Sequence, residues 1–341
     1  MDIWLGLDIG GANLKASDGQ GWSRSVAFPL WREPQRLADA LVDLIAEAPP
    51  ANGLAVTMTG ELADCYETKA DGVRSILDAV DRAAASVGPS AAVRVYSTHG
   101  TFLEAATARE RPLAVAAANW HAIARFVGRH ASSAPALLLD LGSTTCDIIP
   151  LIDGEPAARG RTDPERLLHG ELVYTGVVRS PICALVERLP WRDGQCPVAQ
   201  EPFATTRDAY LLLGDLPESP HDTNTADGRP ATRQFARDRL ARQICADRTM
   251  YTAEDAIAAA KVVKAAQLRL LEQGLRQVLT LIRGGCNRLV VSGEGEFLLR
   301  ELAKLVPPDA EILSLAQRLG PQTSQVAAAH AVAVLAAEQL A

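Results

Sequence analysis

The chain has 341 residues, 48% hydrophobic and 22% charged, which is too long for one ordinary core and too apolar for disorder, so two domains are expected. Its 34 Lys and Arg against 41 Asp and Glu leave a net charge of −7, so no overall positive field gathers nucleic acid or an anionic membrane. Any anionic ligand must be held locally.

An apolar strand over residues 3–8 runs into Ile9-Gly10-Gly11, a second over 13–17 turns at Asp18-Gly19, and a third covers 25–30. Leu37, Leu41, Leu44 and Ile45 then recur at helical spacing after Pro34, followed by a short apolar strand over 54–58. Val73, Ile76, Leu77 and Val80 form another helical face, 93–96 a further strand and 119–130 a helix. The order is βββαβαβα.

At residues 136–140 the opening recurs. Leu7-Asp8-Ile9-Gly10-Gly11 aligns with Leu139-Asp140-Leu141-Gly142-Ser143, each a strand ending in Asp-x-Gly, and the wide separation predicts a duplicated domain. The reading is α/β throughout, with a first domain over 1–132 and a second over 133–341. After a strand over 146–152 and the Asp153-Gly154 turn, the second domain carries an insertion at about 155–250, dotted with prolines and lacking sustained periodicity. Order resumes with a helix over 253–283, a strand over 288–292, a helix over 297–305, a strand over 311–313 and a terminal helix from about Ser324.

Several classes are disfavoured. Met1-Asp2-Ile3-Trp4 has no basic segment leading into an apolar run, and the Ala-rich stretch after Val326 is broken by His330 and Glu338, so a cytoplasmic protein without membrane segments is expected. Six cysteines without a C-x-x-C pair read as reduced thiols. The six histidines lack zinc-site spacing, and no Gly-x-Ser-x-Gly elbow occurs.

Four stretches carry candidate chemistry. In Asp8-Ile9-Gly10-Gly11-Ala12-Asn13-Leu14-Lys15, glycines without Cβ atoms let backbone N–H groups approach a phosphate, Asp8 can hold hydrated Mg²⁺, and Lys15 adds a cation. A plain Gly-Gly hairpin is the alternative. Asp140-Leu141-Gly142-Ser143-Thr144-Thr145-Cys146-Asp147 repeats the design with three hydroxyls, and Asp140 and Asp147 offer further ligands for a hard cation. Here an ST-turn is the alternative, but two such hairpins on duplicated domains predict a shared phosphate cleft. Glu61, just past the strand ending at Thr59-Gly60, is either a general base or a solvated surface residue. Finally, Ser292-Gly293-Glu294-Gly295-Glu296 joins a strand to a helix. Its two glutamates would repel phosphate and suit a cationic group or neutral ring, unless the glycines merely shape the turn.

The two Asp-x-Gly hairpins on repeated units resemble the actin, sugar kinase and Hsp70 superfamily, in which two RNase H-like domains close over a nucleotide or phosphate. Within it the sequence is more similar to hydantoinase and oxoprolinase relatives. Gly6 to Lys15, Thr57-Met58-Thr59-Gly60-Glu61-Leu62-Ala63-Asp64-Cys65, Asp140 to Pro150, and Gly170-Glu171-Leu172-Val173-Tyr174-Thr175-Gly176-Val177-Val178-Arg179-Ser180-Pro181 together resemble the tetrahydromethanopterin-linked C1 transfer pathway family. Glu201-Pro202-Phe203-Ala204, Thr225-Ala226-Asp227-Gly228-Arg229 and Arg239-Leu240-Ala241-Arg242 extend the likeness over nearly the whole chain.

The resemblance implies a transferase of methanofuran or methylofuran biosynthesis. Such an enzyme condenses an aminomethylfuran-methyl diphosphate donor with the phenol oxygen of a γ-glutamyl tyramine or tyrosine acceptor and releases diphosphate. Under it, Mg²⁺ is held through Asp8 and Asp140, with Asp147 as a further ligand. Gly10, Gly11, Gly142, Ser143, Thr144 and Thr145 grip phosphate oxygens, with Lys15 as an added cation. Glu61 takes the phenolic proton, whose unperturbed pKa is about 10. Tyr174, Thr175 and Arg179 either close over the acceptor, Arg179 pairing its carboxylate, or pack the insertion. Glu294, with Glu296, faces the donor's aminomethyl cation. One alternative is an ATP-dependent kinase or oxoprolinase-type enzyme using the same hairpins for a nucleotide; another is a nucleotide-binding regulator without chemistry. Neither nucleic acid nor membrane is an expected partner, and the oligomeric state stays open.

Overall fold

A computed structural model describes residues 3–86, 88, 91–129, 135–282 and 285–340. The expected boundary at 132/133, and the expected helix ends at His130 and Arg283, lie outside them.

Strands β1 (Trp4–Ile9), β2 (Asn13–Ser17) and β3 (Ser23–Ala27) form an antiparallel meander. Helix α1 (Leu37–Ala46), β4 (Gly53–Met58), α2 (Lys69–Ala84) and β5 (Ala92–Tyr96) follow, with β4 parallel to both β1 and β5. The short β6 (Phe102–Glu104) is the edge strand, giving the order β3-β2-β1-β4-β5-β6. Helices α3 (Ala105–Glu110), α4 (Pro112–Val115) and α5 (Asn119–Gly128) complete this half. Every residue of β1 and β4 is buried, as expected for strands covered on both faces.

The second half opens with β7 (Ala136–Leu141), β8 (Cys146–Ile152) and β9 (Glu155–Pro156). Its next elements are α6 (Asp163–Leu168), β10 (Leu172–Val173), α7 (Ile182–Leu185), β11 (Arg188–Trp191), β12 (Gly194–Pro197), α8 (Thr206–Leu213) and α9 (Arg233–Arg242). The long α10 (Ala253–Leu279) leads to β13 (Arg288–Ser292), α11 (Glu296–Leu302), β14 (Glu311–Ser314), α12 (Leu315–Leu319), α13 (Pro321–Gln325) and α14 (Ala327–Gln339). The sheet order β10-β8-β7-β13-β14 repeats that of the first sheet, two antiparallel neighbours on one side of the central strand and two parallel ones on the other. The third-strand position is split between β9 and β10, which pair with opposite ends of β8.

The outer faces are covered locally. α1 and α2 bury Leu41, Leu44, Ile76 and Leu77 against the first sheet, and α10 and α11 bury Leu271, Leu275 and Leu298 against the second. The inner faces are covered crosswise, since α5 packs on β7, β8 and β9 while α14 packs on β1, β2 and β4. α14 is apolar all round because α5 lies on its other side. These approaches leave no room for side chains: a Cβ on Gly6 of β1 would stand 1.9 Å from the Ala329 carbonyl oxygen of α14, and one on Gly128 of α5 2.0 Å from the Gly154 carbonyl oxygen.

Several expectations need correction. The third strand ends at Ala27 rather than residue 30, yet its continuation still follows the first hairpin, Phe28 N–H donating to Ala12 and Leu30 N–H to Gly11. The insertion is ordered: α8 and α9 carry Thr205 and Thr232 at their N-caps, and with α10 they enclose Tyr251, Leu240 and Val263. The expected helix over 297–305 is α11 followed by a 3₁₀ turn, and the terminal helix expected from about Ser324 is the end of α13 and then α14, separated at Val326. β6, α3 and α4 went unread because they are too short to show a period. All six cysteines are free thiols, and no described helix is long and apolar enough to cross a membrane.

Gly6→Ala is expected to lower the unfolding free energy by about 1–3 kcal/mol, the usual cost of overpacking. Urea titration checks this, with Gly194→Ala, where a Cβ meets no atom within 4 Å, as the nearly neutral control.

Candidate functional site

Both central strands end in an aspartate at the same edge of their sheets, and the hairpin partner differs. Asp8 faces Lys15 across β1–β2, with Lys15 Nζ 3.7 Å from Asp8 Oδ2. Asp140 faces Asp147 across β7–β8. Burial raises the Asp8 carboxyl above its ordinary value against the pull of Lys15. Desolvation first, then the Asp147 charge, lift Asp140 to about 6; Lys15 draws it down and Asp8 pushes it up. The charges of Lys15 and Asp8 thus reach Asp140 from the other half.

Hydroxyls flank both. Thr57 on β4 lies opposite Asp8, and Ser292 on β13 lies opposite Asp140, so the duplication repeats a parallel-strand hydroxyl beside each aspartate. Asp8 Oδ1 and Thr57 Oγ1 are buried without a hydrogen-bond partner, whereas the Ser292 hydroxyl helps to hold the Asp140 carboxyl down. Such atoms call for a bound group. Thr57 and Ser292 escaped the sequence reading because the signal lies in the register of parallel strands, which no motif encodes.

Glu61 is not a surface residue. The N–H groups of Thr59 and Gly60 both donate to the Ile9 carbonyl, at 2.9 and 3.0 Å, and pin the loop after β4 to the end of β1. Glu61 is 1% exposed, and burial raises its carboxyl to about 7 although Lys69 Nζ stands 3.6 Å from Oε1. Its Oε2 has no partner. Lys69 continues to Asp163 at the start of α6, 2.6 Å away, linking the halves. Beyond Lys69, an open cavity of about 530 Å³ is lined by Thr68, Arg111 and Leu113 among others.

The phosphate-gripping expectation needs redistribution. Gly10 N–H donates to Asn13 O and Gly142 N–H to Thr145 O, closing the two hairpins identically. Those two N–H groups are spent, leaving the tip N–H groups of Gly11 and Ser143 without a partner among the described residues. Ser143, Thr144 and Thr145 are part-exposed, with Ser143 Oγ and Thr144 Oγ1 3.3 Å apart.

Other expected residues have different duties. Asp147 is committed to Arg166, whose Nη2 donates to Oδ1 at 2.5 Å, so it is no free metal ligand. Arg166 is 2% exposed, also donates to the Glu171 carbonyl, and lies 4.2 Å over the Trp120 ring of α5. Thr175 is buried, its hydroxyl bonded to Ser180 Oγ and to Gln267 Nε2, so it packs the insertion rather than touching a substrate. Tyr174 is 70% exposed. Arg179 is exposed, and its N–H donates to Ser143 O at 2.9 Å beneath the second hairpin. Glu296 accepts from Ser314 Oγ and Ala316 N and so fixes the start of α12; Glu294 is exposed on the turn. Gly293, at φ +90°, brings that turn onto Asp140, since a Cβ there would lie 2.8 Å from Oδ1.

Among the described residues no three His, Cys, Asp or Glu side chains gather as a metal cage. Mg²⁺ needs none, because it binds through one or two carboxylates, waters and substrate phosphates. Asp8, with its unpartnered oxygen, and Asp140 fit that donor set; Asp147 does not.

The duplicated strand order, with an Asp-x-Gly hairpin in each half, is the arrangement expected from the resemblance to the actin, sugar kinase and Hsp70 superfamily. Residues 52–340 match the hydantoinase/oxoprolinase family, and the chain belongs to it. It is 33% identical over 339 residues, 98% of each chain, to the (4-{4-[2-(gamma-L-glutamylamino)ethyl]phenoxymethyl}furan-2-yl)methanamine synthase of Methanocaldococcus jannaschii. To the synthase of the same name from Methanococcus vannielii it is 31% identical over 206 residues, 60% of this chain and 91% of that one. Among solved structures, the inorganic polyphosphate/ATP-glucomannokinase of Arthrobacter sp. strain KM aligns over 99% of this chain and 100% of that one at 14% identity and a TM-score of 0.46.

Two outcomes follow from the buried charges. Arg166→Met leaves Asp147 buried and unpaired, and is expected to cost about 3–5 kcal/mol in chemical denaturation. Glu61→Gln is expected to stabilise the protein by about 1–3 kcal/mol at pH 8, where the native carboxylate is charged and desolvated. The gain shrinks as pH falls below about 7 and is gone near the ordinary value of 4.5, where both folded and unfolded chains carry a neutral acid. Denaturation midpoints measured across that pH range check it.

Proposed function

We propose that the protein forms an aryl ether in methanofuran or methylofuran assembly, within tetrahydromethanopterin-linked one-carbon metabolism in the cytoplasm. The donor is an aminomethylfuran-methyl diphosphate, and the acceptor is the phenol of a γ-glutamyl tyramine or tyrosine. End-to-end identity with a synthase whose name specifies a phenoxymethyl link to a furan supports the product class. Within the site, the observation that carries the reading is Glu61, a buried carboxyl near pKa 7 with one free oxygen, held at the end of the strand beside Asp8.

In the reaction, the bond between the furan methylene carbon and diphosphate oxygen breaks with its electron pair on diphosphate. The phenol oxygen bonds that carbon and gives its proton to Glu61. A base near pKa 7 suits neutral conditions, and Lys69 orients it. The Gly11 and Ser143 N–H groups, the Thr144 and Thr145 hydroxyls and Lys15 meet the phosphate oxygens, where charge grows as the bond breaks. Mg²⁺ held through Asp8 and Asp140 would supply the positive charge that makes diphosphate a better leaving group.

As a base, Glu61 acts only when deprotonated, so kcat/KM is expected to rise with pH through about 7 and then level off. Glu61→Gln removes that rise and lowers kcat by about 10²–10⁴-fold. Asp8→Asn and Asp140→Asn are expected to lose most turnover while keeping the fold. Calorimetric titration of the magnesium-loaded protein decides between chemistries: tight diphosphate and weak ATP binding accords with condensation, whereas preferential ATP binding would sink it in favour of a kinase or oxoprolinase-type reaction.

A further inference from the structure

Trp31 directly follows Leu30, whose N–H donates to the Gly11 carbonyl at 3.0 Å, so it stands beside the tip of the first hairpin. Arg179 is tied to the second hairpin through its N–H on the Ser143 carbonyl. Their side chains approach each other from the two halves of the chain. The Arg179 guanidinium carbon is 6.0 Å from the centroid of the half-buried Trp31 ring, and that of Arg32 is 5.9 Å away.

Both arginines are exposed, and neither has a carboxylate within ion-pair distance among the described residues, although Arg36, Arg166 and Arg239 are all paired. At about 6 Å, attraction to an indole is at its outer limit and gives little reason for two like charges to gather at one ring. An anion between them does. A guanidinium pair suits a carboxylate, and the indole adds an apolar face that an aromatic ring uses and an inorganic phosphate does not.

We propose that Trp31, Arg32 and Arg179 form the subsite for an anionic aryl acceptor, the ring lying on Trp31 and the carboxylate of the γ-glutamyl tail bridging Arg32 and Arg179. This rests on the condensing reading above and specifies what that site selects. Because the tryptophan and one arginine come from the first half and the other arginine from the second, a bound carboxylate ties the halves together over the hairpins.

The test titrates γ-glutamyltyramine and its α-carboxyl methyl ester, separately, into wild type, Arg32→Met, Arg179→Met, Arg179→Lys and Trp31→Ala, each checked for an unchanged thermal transition. Wild type is expected to bind the acid at least ~10-fold more tightly than the ester, and each methionine variant to lose most of that preference. Arg179→Lys keeps part of it, and Trp31→Ala weakens both ligands alike. Diphosphate affinity stays within about twofold throughout. Loss of diphosphate binding in the methionine variants would assign the arginines to the donor and overturn the proposal, as would a preference that survives all four substitutions. A wild type that selects the acid but makes no ether leaves the subsite standing and removes the condensing reading. Ether formation without any preference does the reverse.

Discussion

Opposite each strand-end aspartate, the residue across the hairpin decides what that carboxylate can do. Asp8 is met by Lys15, which pulls against the burial that raises its carboxyl, while one oxygen remains free. Asp140 is met by a second aspartate, and two carboxylates side by side in a desolvated hairpin cannot both be left unneutralised. Arg166 resolves this by taking Asp147, and it is reached only because the insertion returns through α6 and β10 to the hairpin. Its guanidinium rests on Trp120 of α5, so the charge balance of the site is bound to the packing between the sheets.

The insertion is therefore tied into the first half of the chain. Besides Arg166, it presents Asp163 to Lys69, and Arg161 to the Thr98 carbonyl and His99 Nδ1, all on the first half. Glu61 sits behind this contact, a buried acid whose desolvation costs stability once it is charged.

The hairpins and their duplication were legible because Asp-x-Gly between an apolar run and a turn is a local pattern, and its repetition carries the inference that the two face each other. Family likeness extended this to the chemistry. What stayed hidden depends on distance along the chain. Nothing near Asp147 announces an arginine 19 residues later as its partner. Thr175 looked available until Ser180 and Gln267 took its hydroxyl, and Glu296 looked free until α12 claimed it. The Gly10 and Gly142 N–H groups are consumed by the turns that their glycines make possible. Lys69 carried no motif, and its role comes from standing between Glu61 and Asp163.

Helical periodicity marks which face of a helix is apolar, but not which sheet it will meet, and the crosswise packing of α5 and α14 falls in that gap. During synthesis, β1 emerges long before α14, so the inner face of the first sheet stays uncovered until the second half has been made. The second sheet repeats the strand order of the first, but neither finishes alone: the ribosome must release nearly the whole chain before Gly6 meets the helix that lies on it.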